Sequence, residues 1–236
     1  MIVFNNPNIG IGYMNTIIYV TAGTLVNLLM TSLGAYALSR EGYKFKKFFT
    51  IAIVFTMYFG GGLIPTFLLV KALGMLDSRL AMIIPSAIGT WNLIVLRTAF
   101  ASVPKSLEES AKIDGANDFV ILFKIFIPVS KATMAVMLLF YAVGHWNSWF
   151  DAMIYLRDRE LFPLQLFLRE ILISNSMIGN PAAGAGGLSN SADEFFFMEE
   201  TIKYSTIIIS TVPILFIYPF IQKYFTKGVM LGSLKE

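Results

Sequence analysis

The chain of 236 residues is 56% hydrophobic and 14% charged, with a mean hydropathy of +0.68, whereas soluble domains carry about 25% charged residues. It therefore reads as an integral membrane protein, long enough for several spans and too short for a further soluble enzyme domain. A net charge of +3 dispersed over short connections excludes a nucleic-acid surface, and the absence of cysteine excludes disulfide frameworks, thiolate metal sites and thiol catalysis.

Five stretches have the roughly 20 apolar residues that a helix needs to cross a bilayer. In chain order they are about 14–38, 49–70, 80–100, 132–150 and 204–222. The expected fold is all-α, a polytopic helical bundle forming one transmembrane domain over 1–236. No Lys or Arg precedes Arg40, so nothing retains the N-terminus on the basic side, and no cleavable signal peptide is visible. Arg40, Lys44, Lys46 and Lys47 follow the first span. The second contains Gly60–Gly62 and Pro65, read either as a kink whose freed backbone is satisfied by neighbours or as a binding loop. Trp91 and Asn92 interrupt the third, and Arg97 near its end snorkels. Lys105, Lys112, Lys124 and Lys131 precede the fourth, and Lys223, Lys227 and Lys235 follow the fifth. If the spans alternate, all these basic connections share one side, the cytoplasm by the positive-inside tendency. The loop 151–203 falls opposite, with eight acidic residues (Asp151, Asp158, Glu160, Glu170, Asp193, Glu194, Glu199, Glu200) against four basic ones.

The cytoplasmic loop of about 104–128 is a charged island between apolar segments, and a membrane protein needs such a surface only if something soluble docks on it. Ser106-Leu107-Glu108-Glu109 has the form of a capping box, with Ser106 as N-cap and Glu109 at N3, and Pro104 discourages helix before it. Leu107, Ser110, Ala111 and Asp114 then share a face, and Glu108 can pair with Lys112 at i, i+4. Small Ser110 and Ala111 permit close approach by another protein. Gly115 permits a reversal, and a second helix returns through 119–126 to Pro128. The plainer reading is an amphipathic loop in which Glu109 caps its own helix.

The spacing Glu109-x-Ala111-x3-Gly115-x9-Ile125-x-Ile127-Pro128 resembles the EAA signature of the membrane-spanning permease subunits of ABC importers. The Asp114-Gly115-Ala116 form resembles their carbohydrate-uptake branch. The likeness runs from Asn15-Thr16-Ile17 through Gly60–Pro65 to Lys227–Met230, and Tyr141–Trp149 with Pro163–Leu166 resemble the permeases of complex oligosaccharides. It implies a type I ABC importer permease fold, usually of six spans, so that one upstream span is expected to be missing here; the alternative is a natural five-span core with a translocated neutral tail. It further implies a coupling helix whose docking residues are Glu109, Ala111, Asp114 and Gly115, anchored by Ile125, Ile127 and Pro128. Ser110 stands where the signature has Ala, a change that conserves size. The implied partners are nucleotide-binding ATPase subunits, a second homologous permease, an extracytoplasmic solute-binding protein and membrane lipid, in a bacterial cytoplasmic (inner) membrane. No phosphate-loop motif occurs, so the chain is expected to be no enzyme and to bind no cofactor or metal, ATP and Mg belonging to the partner. The alternatives are an ABC permease for a non-sugar solute, and a passive or ion-coupled carrier, for which no deep ionisable residues or internal repeats are evident.

Candidates for the substrate path are Trp91, Asn92, His145, Trp146, Asn147, Trp149 and Asp151. Aromatic faces edged by amides and a carboxylate suit a sugar, which offers apolar ring faces rimmed by hydroxyls. Interfacial anchoring by the Trp residues and helix-to-helix bonding by the Asn residues are equally open readings. In the outer loop, 161–173 reads as an amphipathic segment at the membrane surface, and 181–191 as a flexible Gly/Ala/Ser/Asn stretch; the resemblance implies that this loop meets a solute-binding protein, the alternative being a solvated connector.

Overall fold

The first helix, α1 (Pro7–Ser39), has 33 residues, about 50 Å at the α-helical rise, and among the described residues it is the one unbroken helix long and apolar enough to cross a membrane, two bent helix pairs also reaching that length. The computed structural model describes residues 7–42, 44–178 and 200–216, in which helix predominates and no strand occurs. Asn15, Tyr19, Gly23, Asn27, Thr31 and Ala35 follow one another along α1 at four-residue steps, and all are buried. Such a ridge winds slowly around the helix, so successive stretches of it meet different neighbours. Small and polar side chains suit it, because helices in lipid associate through close packing and interhelical hydrogen bonds.

The expected second span over 49–70 is two helices, α2 (Lys46–Tyr58) and α3 (Leu63–Ala72), meeting at 115°. Gly62 has φ 83° and ψ −179°, backbone that essentially only glycine adopts. The glycine run therefore folds the chain back on itself, where reading the sequence anticipated a kink.

The expected third span over 80–100 is also broken, into α4 (Leu80–Ile83) and α5 (Thr90–Ala101). Pro85 cannot donate to a helix ladder, and Gly89 is extended. Neighbouring helices satisfy the exposed backbone. The Asn27 amide donates to the Ser86 carbonyl, and the Tyr141 hydroxyl accepts from Gly89 N–H at 3.1 Å while bonding Thr31 at 2.7 Å. A broken helix is tolerated at membrane depth only with such replacement partners.

After the break come α6 (Lys105–Ile113), α7 (Asp118–Ile121), a π-helical turn (Leu122–Phe126) and α8 (Ile127–Val129). Pro128 has no N–H, and its ring would crowd the carbonyl four residues back. The π turn bridges this point with an Ile127 N–H to Leu122 carbonyl bond. The chain then turns by 89° into α9 (Lys131–Trp146), which together with α5 forms the main packing surface against α1.

Beyond α9 lie α10 (Trp149–Tyr155), a 3-10 turn (Arg159–Leu161) and α11 (Leu164–Ile178). The segment expected at the membrane surface instead packs across α1. Leu164, Leu166, Phe167 and Leu168 are buried, and Leu164 N–H donates to Thr16 Oγ1 at 2.9 Å. Gly12 allows the approach, since a Cβ there would lie 2.9 Å from Leu164 Cα. Asn15 and Tyr19 also donate to carbonyls of Glu160, Phe162 and Leu161. Residues 200–216 form a further helix, α12; the end of the expected fifth span, 217–222, and the stretch 181–191 lie outside the described residues.

Candidate functional site

The island is a helical hairpin. Its first helix, α6, begins at Lys105 with Pro104 as N-cap and no side-chain cap bond, so the capping box expected at Ser106 is not formed. Pro104, with φ −57° and ψ 131°, already has N-cap backbone geometry, and its carbonyl receives Leu107 N–H at 3.2 Å. The helix ends in a Schellman motif. Ala116 N–H reaches the Ala111 carbonyl at 2.9 Å and Gly115 N–H the Lys112 carbonyl at 3.0 Å, with Gly115 at φ +78°, as the left-handed position of that motif favours. Asn117 then caps α7, its side chain accepting Val120 N–H at 2.9 Å. The motif Asp114-Gly115-Ala116-Asn117 is thus a complete stop and restart.

Glu108, not Glu109, turns inward. Its carboxylate receives the Arg40 guanidinium and, at 2.7 Å, Lys112 Nζ, the i, i+4 pair anticipated from the sequence. Arg40 also donates to the Phe100 carbonyl at 3.3 Å, and its guanidinium carbon lies 4.1 Å from the Phe126 ring centroid and 5.1 Å from that of Tyr36. The Tyr36 hydroxyl donates to Asp118 at 3.1 Å. Beneath lies a core of Ala35, Leu38, Leu93, Leu96, Phe100, Ile121, Leu122 and Phe126. Burial opposes ionisation of Glu108, but Lys112 and Arg40 outweigh it and hold the carboxyl below its ordinary range. The hairpin is thereby clamped to the ends of α1 and α5.

Of the residues singled out beforehand, Glu109, Asp114, Gly115 and Pro128 are exposed. Ala111, Ile125 and Ile127 pack against the core beneath, so Ala111 lies on the inner side of the face it was expected to share with exposed Ser110. Ile113, at the tip, is 87% exposed, and the sequence reading passed over it. An isoleucine closing a short polar helix is the signal that would have found it.

The path candidates divide. His145 and Trp146 are buried: His145 Nε2 bonds Asn27 at 2.7 Å, and Trp146 Nε1 donates to the Ser210 carbonyl at 3.1 Å. His145 sits against Gly23, where any Cβ would collide with the imidazole. It lies in the last turn of α9, beside the middle of α1. Trp91, Asn147 and Asp151 are exposed, while Asn92 and Trp149 are half-buried. Asn147 also donates to the Val143 carbonyl of its own helix at 2.9 Å. Arg169 lies 3.7 Å over the Trp149 ring, covering one of its faces. Asn27 and Tyr141 were not foreseen, although an amide inside an apolar run is a visible signal.

A family model described as "Binding-protein-dependent transport system inner membrane component" matches residues 45–154. The polygalacturonan/rhamnogalacturonan transport system permease protein YtcP of Bacillus subtilis (strain 168) is 47% identical over 92% of this chain and 74% of its own length. Protein LplC of the same organism is 40% identical over 99% and 77%. In the crystal structure of a bacterial ABC transporter involved in import of the acidic polysaccharide alginate, one chain superposes with a TM-score of 0.81 at 35% identity, over 94% of this chain and 77% of that one.

Proposed function

This chain belongs to the family of binding-protein-dependent transport system inner membrane components, and from that premise we propose that its helical hairpin is the surface on which an ATP-hydrolysing subunit docks. The chain is the permease subunit of an ATP-driven importer that moves carbohydrate across the membrane, with the type I permease fold. ATP and its Mg are held by the partner. A second, homologous permease supplies the other half of the pathway, and an extracytoplasmic solute-binding protein delivers the sugar to the face formed by the outer loop.

One observation carries the docking reading. The hairpin is clamped from behind by Arg40 and Glu108, while Glu109, Ile113, Asp114 and Gly115 face solvent. A patch that is rigid, mixed in polarity and exposed at its tip is what a protein groove can grip. Gly115→Val, or Glu109→Lys together with Asp114→Lys, should detach the ATPase subunits or uncouple them and abolish uptake while the protein remains inserted. Variant complexes that kept both their ATPase subunits and wild-type uptake would overturn the assignment.

The cargo we propose is an oligosaccharide fragment of an acidic polysaccharide, as the names of YtcP and of the alginate transporter suggest. Trp91, Asn92, Asn147, Trp149 and Asp151, which keep accessible surface, are the side chains left to line its path. His145 and Trp146 act behind them by fixing α9 against α1 and α12. Uptake of labelled oligogalacturonate in preference to a neutral oligosaccharide of equal length tests the substrate class.

A further inference from the structure

We propose that the concavity between the end of α1, the start of α2 and the face of α5 binds the headgroup of an anionic phospholipid in the leaflet on the island's side. The cavity, of ≈ 440 Å³, is lined by Lys44, Lys46, Lys47, Thr50, Ile51 and Arg97. Four of these six carry positive charge and none carries negative charge. Like charges gathered in one place repel one another unless an anion joins them. Glu41, next to the end of α1, is engaged by Lys105, and Glu108 by Arg40 and Lys112. Among the described residues none of the four cations forms an ion pair.

Two of the cations are held in place by the protein. Lys46 Nζ donates to the Ser39 and Arg40 carbonyls, each at 3.3 Å, and Arg97 Nε to the Leu38 carbonyl at 3.3 Å. An ammonium has three N–H donors and a guanidinium five, so both keep donors for a phosphate after closing off the end of α1. The first turn of α2 opens at the same place with no side-chain cap, which adds unpaired amides and the positive end of a helix dipole.

The neighbouring surface favours lipid over free phosphate. No residue of α2 is buried, and Phe45, Phe48, Ile51 and Phe55 are 56–67% exposed. An acyl chain can lie along this wall while its phosphate sits among the cations. Basic pockets between membrane helices recognise anionic headgroups in this way.

The test uses the purified full transporter in neutral detergent with a fluorescent-chain phosphatidylglycerol as probe. Wild type should bind it, with displacement by unlabelled phosphatidylglycerol but not by inorganic phosphate at equal concentration, and should ignore the matching phosphatidylcholine probe. Lys47→Gln with Arg97→Gln should weaken binding about 25-fold, roughly fivefold per cation removed. Lys44→Gln with Lys47→Gln, two exposed positions, should do the same should loss of Arg97 impair folding. Arg97→Lys and the distant Lys124→Gln should bind like wild type. Unchanged affinity in both double variants, equal binding of phosphatidylcholine, or displacement by inorganic phosphate would overturn the proposal. Loss of the ATPase subunits from Lys44→Gln/Lys47→Gln would overturn it in favour of a protein-docking surface, whereas their retention keeps this site separate from the hairpin.

Discussion

Arg40 stands where the longest helix ends, and its guanidinium meets a carboxylate, a backbone carbonyl and two aromatic faces drawn from α5, α6, the π turn and α1 itself. Both members of its ion pair are mostly shielded, with side chains 17% and 15% exposed, and removing one partner of such a pair leaves the other charge poorly compensated. Arg40→Ala and Glu108→Ala should each destabilise the purified protein by about 3 kcal/mol, and the double variant by distinctly less than the sum, a coupling of about 1–3 kcal/mol. Thermal unfolding of the three variants measures this. Additive effects would mean that the pair does not act as a unit. Acid tests the same group. Because the folded carboxyl of Glu108 ionises below its ordinary value of 4.5, its contribution is present above that value and disappears as pH falls through the folded pKa. Glu108→Gln should therefore remove part of the loss of stability between pH 5 and the acid limit, and unfolding temperatures across that range, in wild type and variant, give the comparison. None of this was legible beforehand. Arg40 reads as one of four cations that set orientation, and its carboxylate partner is 68 positions away. Glu109, by contrast, was singled out by its place in the EAA-like spacing, and it is exposed, so no distant partner is needed to describe it.

At the scale of the helix, the break between α4 and α5 shows why membrane spans resist prediction. Hydropathy averages over side chains, and residues 80–100 are apolar on average, so a continuous span was the natural expectation. What breaks the helix is Pro85, and what makes the break affordable is an amide on α1 and a hydroxyl on α9, more than 50 positions from the groups they satisfy. Asn27→Leu should leave the Ser86 carbonyl and the His145 ring without their partners, at about 1–3 kcal/mol for each buried group abandoned. Tyr141→Phe also abandons two groups, the Gly89 N–H and the Thr31 hydroxyl, and should cost a similar amount. Unfolding in detergent measures both, and an Asn27→Leu variant as stable as wild type would show that the amide is dispensable. The hairpin of α6 and α7 was far more readable, because its stop and restart are written in adjacent residues: left-handed Gly115, then Asn117 as a cap. Its start was misread by two positions, since Pro104 supplies N-cap geometry through its own ring and leaves Ser106 without that task.

For the whole molecule, orientation is the prediction most directly tested. Single cysteines placed in this cysteine-free chain at Lys105 and Arg157, both exposed, should react with a membrane-impermeant maleimide from opposite sides, Arg157 from outside. Labelling of both from one side would sink the alternating arrangement. A second prediction follows from the single hairpin. Vesicles containing this chain without a partner permease and ATPase subunits should take up no sugar, and uptake under those conditions would revive the passive carrier. The expected orientation rests on counting charges in loops, whereas the paths of the helices between those loops depend on side-chain bonds that no count reveals. The long helix α1 joins the two sides mechanically. Near its start Asn15 and Tyr19 are bonded to the turn around Glu160–Phe162, and at its end Arg40 grips the hairpin. A stiff rod about 50 Å long that pivots by about 10° around its centre moves its two ends by about 4 Å in opposite directions. In lever terms, the fulcrum lies where Gly23 and Asn27 meet His145, and a push on one arm arrives at the other reversed in sign.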